Sequence, residues 1–447
     1  MAKSVSTSLS VMMFLQFFIW GSWYVTAANY VLSLGWSAED VGTVYSLCPI
    51  AAVISPLFLG CFADRFFAAQ RLMGVLHLLG GGLLILLPPM MGEGTDTGWT
   101  SSFTWVLYIY ALCYMPTLGL ANTIAFHHLA DQAKQFPLIR VFGTLGWIAA
   151  GILVSKVMEA DQKPSQFYVA AGASLLLGVY CFALPHTPPD KEKKVSAAEA
   201  LGLGALGLLR RPAFLIFMAC SFLICIPLQG YYAFAQVYVG DSGFENPAYY
   251  MSYGQWAEVL FMLAMPAMFA RFGVKWMLAV GMLAWVLRYG LFSVAAGDEP
   301  VKYMVMGGIL LHGICYDFFF VTGQIYVDKV APKAIRGQAQ GFLVLITLGL
   351  GLWVGAIASG ALVKEYSPAN DQILRSQAAD LTPRIDELTA RDVRSAAEDT
   401  ELEQISAERR QKLRDAQPDW GTIWMWPAWG AGAILVLFIL LFRYRPE

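Results

Sequence analysis

The segment GILLHGICYDFFFVTG, residues 308–323, has the composition of a membrane helix, yet it carries a carboxylate at Asp317. Its surroundings decide how to read it. The chain has 447 residues, 57% of them hydrophobic and 14% charged, whereas about a quarter of a soluble protein is charged. Apolar runs long enough to cross a bilayer, about 20 residues each, recur along nearly its whole length. The chain therefore reads as an all-α polytopic membrane protein. A net charge of -2 with no basic stripe points away from nucleic acid. Seven cysteines, at 48, 61, 113, 181, 220, 225 and 315, lie in or beside apolar runs. They show no CxxC or metal-ligand spacing, so they read as small hydrophobes, and no metal site or cofactor is expected. The first apolar run, about 8–34, is too long for a cleavable signal segment.

Twelve spans are predicted, at roughly 8–34, 41–63, 71–92, 103–129, 137–157, 166–185, 212–239, 247–270, 275–296, 301–327, 336–363 and 421–442. Lys and Arg cluster on one side of them, for example Arg65, Arg71, Lys191, Lys193, Arg210, Arg211, Arg271 and Lys333. The short loops of the other side hold only Lys156, Lys163 and Lys302. That bias predicts both termini in the cytoplasm. The expected organisation is an N-terminal six-helix bundle over 1–185, a cytoplasmic linker with an interfacial helix over 186–211, and a C-terminal six-helix bundle over 212–447. The second bundle carries an extracytoplasmic insert at 364–420, dense in both charge signs. TPRIDEL at 382–388 starts a helix with Thr before Pro, and one or two short soluble helices are predicted there.

The halves resemble each other. Ile139-Arg140 opens span five and Ile335-Arg336 opens span eleven, 196 residues apart. GCFADRF (60–66) follows span two and MFARFGVK (268–275) follows span eight. A repeat of half the chain in parallel orientation is the mark of transporters that bind cargo near the midplane, between two bundles.

A charge at a helix centre costs about 2.5–3.5 kcal/mol on insertion scales, so each one needs a reason. Asp317 shares a helix face with Gly313, Phe320 and Gln324. It is either a group that changes protonation as part of proton coupling or one member of a static pair with an arginine. Glu258 follows Gln255 by three residues, and the two could grip a polar ligand or clamp helices together. Arg140, Gly143, Thr144 and Trp147 form one stripe. A guanidinium, a hydroxyl and an aromatic plane suit a sugar and a ring, with Gly143 admitting a close neighbour. Alternatively, Arg140 snorkels to the interface. Arg288 is expected to pair with a neighbouring acid. Gln229, between Pro227 and Gly230, is a candidate ligand contact or a plug at a helix kink. Gln16 poses the same choice. The GLGALG of 202–207 follows a charged linker and not a strand, so it is no dinucleotide site. No nucleophile elbow, Walker loop or HExxH occurs, so no enzyme is expected.

FLQFFIWGSW (14–23), YMPTLGLANTI (114–124), FPLIRVFGTLGWI (136–148), Gln255-Trp-Ala-Glu258, WVLRYGLF (285–292) and YDFFFVTGQIYVDKVAPKAIRGQAQG (316–341) together resemble the nucleoside:proton symporter family of the major facilitator superfamily. The resemblance covers nearly the whole chain apart from 364–420. It implies twelve helices in two six-helix bundles, in a bacterial inner membrane, and a monomer that takes up nucleosides with protons. It implies substrate contacts from Arg140, Thr144, Gln229, Gln255 and Glu258, with aromatic surfaces from Trp147 and Tyr316. It implies coupling through Asp317, with Glu258 sharing that task. Asp64 and Arg65, with Arg271 in the matching loop, would gate the inner side. Tyr232 stands where relatives have a short amide, and His312 where they have a Tyr. Another polar solute, such as a sugar, and a non-transporting sensor remain alternatives.

Overall fold

The computed structural model describes residues 3–58, 66–91, 96–130, 132–189, 196–297, 299–391 and 393–444. They form helices and connections, with no strand among the described residues. The spans are Lys3–Gly21, Ala38–Phe58, Ala69–Leu86, Ser102–His128, Gln132–Gly151, Ser165–Cys181, Pro212–Asp241, Pro247–Ala295, Lys302–Val330, Lys333–Glu365 and Trp420–Leu441. Pro247–Ala295 holds both span eight and span nine. It is broken only at Gly273, whose φ of 65° and ψ of -178° turn the chain back. Twelve crossings result among the described residues, and the predicted break of several residues narrows to this one. Span one continues past a turn as Ala27–Ser33.

Among the described residues, three spans leave the α-helical repeat. Span five ends in a π-helix, Ile152–Val157, span ten contains one at Asp317–Val321, and span eleven one at Leu345–Gly351. Each widens the helix locally and shifts the phase of the turns beyond it. Past Asp317 the predicted common face is lost: Gly313, Asp317 and Phe320 are buried while Gln324 is exposed.

Helices in lipid gain little by hiding apolar surface from one another, so close packing depends on small side chains. The two six-helix bundles meet in that way. A β-carbon on Gly42 would stand 2.6 Å from the Ala356 carbonyl oxygen, and one on Gly360 2.8 Å from that of Ala38. These contacts join spans two and eleven at the end that bears the insert, called here the insert end. The opposite end, which holds the termini, is the terminal end. There, Thr322–Val330 and Arg336–Val344 pack on their own bundle and on the linker. The molecule is thus closed at the insert end. The linker includes Ala197–Ala200 and a 3-10 helix, Leu203–Arg210, whose Ala205 and Leu208 are buried.

The insert forms three helices, Asp371–Asp380, Thr382–Thr389 and Ala396–Asp415, where one or two were predicted. The extra one is Asp371–Asp380, which has no side-chain cap to announce it and buries Arg375 and Ala378. Ala396–Asp415, where Leu402, Ile405 and Leu413 are sparsely spaced, starts instead with a complete Ser395–Glu398 capping box. Arg384 and Arg391 tie the last two together through Glu387, Glu398 and Glu401. The insert docks on both bundles. Buried Arg375 lies 3.9 Å from Asp241 and donates to the Ala416 carbonyl, while Arg409 donates to Gln162 at 2.9 Å.

Candidate functional site

Glu258 is carried by span eight, and it reaches the centre because span ten has no side chain in the way. A β-carbon at Gly313 would stand 2.6 Å from the Glu258 backbone nitrogen. The carboxylate Oε2 then lies 3.9 Å from Nε2 of His312 on span ten. The imidazole stacks on Tyr231, with ring centres 5.6 Å apart, and lies 6.0 Å from the ring of Tyr316. Glu258 is also within electrostatic reach of Arg140 in the other bundle.

Arg140 does not simply snorkel. It is half-buried, with its guanidinium 4.0 Å from the centre of the Phe17 ring, a cation–π contact worth about 0.5–2 kcal/mol. Gly143 admits that neighbour: a β-carbon there would meet the Phe17 ring at 2.6 Å. One turn on, Thr144 is buried, and Trp147 packs edge-on against Trp20 at 5.6 Å. The predicted stripe therefore faces span one.

Gln229 is fully buried and donates to the Tyr24 hydroxyl of the other bundle at 3.4 Å, leaving its Oε1 without a partner. Trp147 and Gln255 line one narrow cleft with Tyr24, Tyr232 and Ser252. In this closed form the cleft has room for about one water. Asp317 is fully buried and neither carboxylate oxygen has a hydrogen-bond partner. No arginine pairs with Asp317 among the described residues, and Glu258 is within electrostatic reach of it.

Other expectations fail or fall outside. Gln16 is no open ligand contact: its amide donates to Thr117 at 2.7 Å and its oxygen meets His77 at 2.9 Å, inside the first bundle. Arg288 pairs with no acid among the described residues. It donates to the Gly308 carbonyl and lies 4.1 Å from the Tyr231 ring centre. The face of Tyr231, carried by span seven, stands where a carboxylate was expected. Arg271 is exposed at the terminal end, two residues before the Gly273 turn. Its expected partners Asp64 and Arg65 lie outside the described residues. Tyr24 escaped the sequence reading. Its only signal was a position one turn after Trp20, against which its ring lies at 5.2 Å.

Comparisons with known proteins place the chain in a family. The family model described as Nucleoside H+ symporter matches residues 3–378. A candidate nucleoside transporter of Escherichia coli K12, YegT, is 41% identical over 367 residues, covering 80% of this chain and 85% of that protein. The xanthosine permease of the same organism is 34% identical over 380 residues, covering 81% and 89%. Among solved structures, the crystal structure of nucleoside transporter NupG superposes with a TM-score of 0.78 at 28% identity, covering 99% of this chain and 100% of that one. By sequence and by fold, the chain belongs to the nucleoside H+ symporter family, with the two-bundle architecture of the major facilitator transporters.

Proposed function

We propose that this protein carries nucleosides inward across the bacterial inner membrane, each together with a proton, by alternating access. The observation that carries this reading is the meeting of Arg140, Gln229, Gln255 and Glu258 with aromatic faces at the join of the two bundles, beside a buried acid without a partner. A nucleobase offers a flat face and an amide-like edge. Trp147 and Tyr316 suit the face, and Gln229, Gln255 and Glu258 suit the edge. Arg140 and Thr144 suit the ribose hydroxyls. His312 and Tyr232 shape the same space and are the residues expected to set which nucleosides fit.

Asp317, assisted by Glu258, is the proposed proton carrier. Burying an unpaired carboxylate costs several kcal/mol or more, so the dry setting of Asp317 accommodates the protonated acid. In the other state the acid would be hydrated and free to exchange its proton. Neutralising it lets the bundles close over the cavity. The excess of Lys and Arg at the terminal end supports termini in the cytoplasm, so the state described here is closed to the outside. Asp64, Arg65 and Arg271 are proposed to close the inner side in the opposite state. The protein is proposed to work as a monomer, with no coupling ion other than the proton.

The test is uptake of labelled purine and pyrimidine nucleosides into proteoliposomes under an imposed pH gradient. We expect acid outside to drive accumulation and a protonophore to abolish it. Accumulation that ignores the gradient would reject proton coupling. Competition by sugars and not by nucleosides would reject the cargo.

A further inference from the structure

Outside the central site, one buried acid joins the two bundles directly. Asp161 lies in the short connection between spans five and six, at the insert end and outside the membrane-spanning segments. It is 7% exposed. Its Oδ2 accepts from the Ser155 hydroxyl at 2.7 Å, within its own bundle. Its Oδ1 accepts from Nε2 of Gln236 at 2.7 Å, and Gln236 belongs to span seven of the other bundle. The backbone of Ala248, at the start of span eight, supplies a further hydrogen bond. Two of the three donors are thus on the far side of the join. Close by, a β-carbon on Gly151 would lie 3.6 Å from the Ala248 carbonyl oxygen. Separating the bundles at this end must break the Gln236 and Ala248 bonds together.

We propose that Asp161 is a proton-sensitive latch of the outer gate, a positioning residue that holds the bundles closed at the insert end through Gln236 and Ala248. The proposal rests on alternating access as the mode of transport.

The neighbouring charges are engaged elsewhere. Lys163 lies 3.9 Å from Asp386, Lys156 lies over the Tyr249 ring, Asp241 faces Arg375, and Arg409 is bonded to Gln162. Glu159 on its own connection and Glu245 before span eight are both exposed to solvent. None of these sets the state of Asp161. Burial pushes its carboxyl up from the ordinary 3.8 to about 6, against the opposing pull of the Ser155, Gln236 and Ala248 hydrogen bonds. In an opened, hydrated gate it would return toward the ordinary value. The closed form therefore binds the proton more tightly. Closure gains fully below the ordinary value, and the gain is lost as pH rises through about 6. A proton arriving from the insert side would favour closing the gate behind the cargo.

The experiment is pulsed electron–electron distance measurement across this end of the full-length chain. Spin labels are placed at Met158→Cys and Glu245→Cys, both exposed, with the native cysteines replaced. From pH 7.5 to 4.5 the closed-to-open ratio should rise on the order of tenfold. Asp161→Asn should shrink that response to the part that Asp317 and Glu258 supply, which Asp317→Asn measured alongside identifies. Gln236→Leu should lower the ratio at every pH. A wild-type pH response surviving in Asp161→Asn, or an unchanged ratio in Gln236→Leu, overturns the latch. Cargo identity does not enter the readout, so failure of the nucleoside reading leaves the test standing. A single closed distance at every pH would overturn the latch and alternating access together.

Discussion

The imidazole of His312 is held between two partners: the Tyr231 ring stacks on it at 5.6 Å, and the Glu258 carboxylate lies 3.9 Å from its Nε2. His312 thus fixes the direction from which Glu258 can meet a ligand. We expect His312→Ala to raise the KM for nucleosides about three- to tenfold, the loss of one aromatic contact of about 0.5–1.5 kcal/mol. The maximal rate should change less. Initial-rate uptake over a range of nucleoside concentrations checks it, and an unchanged KM counts against the contact.

Asp317 has no hydrogen-bonded partner to lose, so Asp317→Asn should leave the fold intact. We expect uptake against a gradient to fall to the background of empty liposomes, while nucleoside exchange by counterflow persists. Undiminished concentrative uptake in this variant would assign coupling elsewhere.

Glu258→Gln retains the shape of the side chain and removes its charge. A hydrogen bond to a charged group is worth about 1.5–3 kcal/mol, so nucleoside affinity should weaken about 10- to 100-fold. Isothermal titration in detergent measures this directly. An equal Kd for the two proteins would mean that Glu258 does not touch cargo.

At the insert end the bundles touch backbone to backbone through Gly42 and Gly360. Gly42→Leu would drive a side chain into the Ala356 carbonyl, 2.6 Å from the first added carbon. Overpacking of this kind costs about 1–3 kcal/mol, and all of it falls on the closed form. We expect the variant to spend more time open at this end, read as faster labelling of a cysteine placed at Val25 in the cleft. Labelling at the wild-type rate would show that the contact tolerates bulk.

Arg375 and Asp241 are both largely buried, with side chains 8% and 15% exposed. Removing one partner leaves the other charge buried, so Arg375→Ala should cost about 3 kcal/mol. The melting temperature in detergent should drop by several degrees. Adding Asp241→Asn should recover part of the loss. Failure of the double variant to recover would mean that Arg375 acts by packing alone.

The solvent of this chain sets how much of it is legible without a structure. Hydrocarbon penalises every charge, so Asp317, Glu258, Arg140 and Arg288 stand out one by one, and the spans are given by apolar length. Pairing is a different matter. Gln16 and Gln229 look alike in the chain, yet Gln16 is satisfied by Thr117 and His77 while Gln229 keeps a free oxygen at the join. Only tertiary contacts separate them. Asp161 carried no signal, because a carboxylate in a short polar loop costs nothing until another bundle covers it. The insert helix Asp371–Asp380 was hidden for a similar reason: it has no side-chain cap, and its Arg375 and Ala378 are buried only once the insert docks.

The π-helices at Ile152–Val157 and Leu345–Gly351 occupy matching depths in spans five and eleven. The 196-residue offset that aligns Ile139 with Ile335 brings the two bulges into overlap. Each bulge lies where its span packs on the other bundle, span five on span eight and span eleven on span two, so both sides of the join carry a turn wide enough to flex without parting the helix.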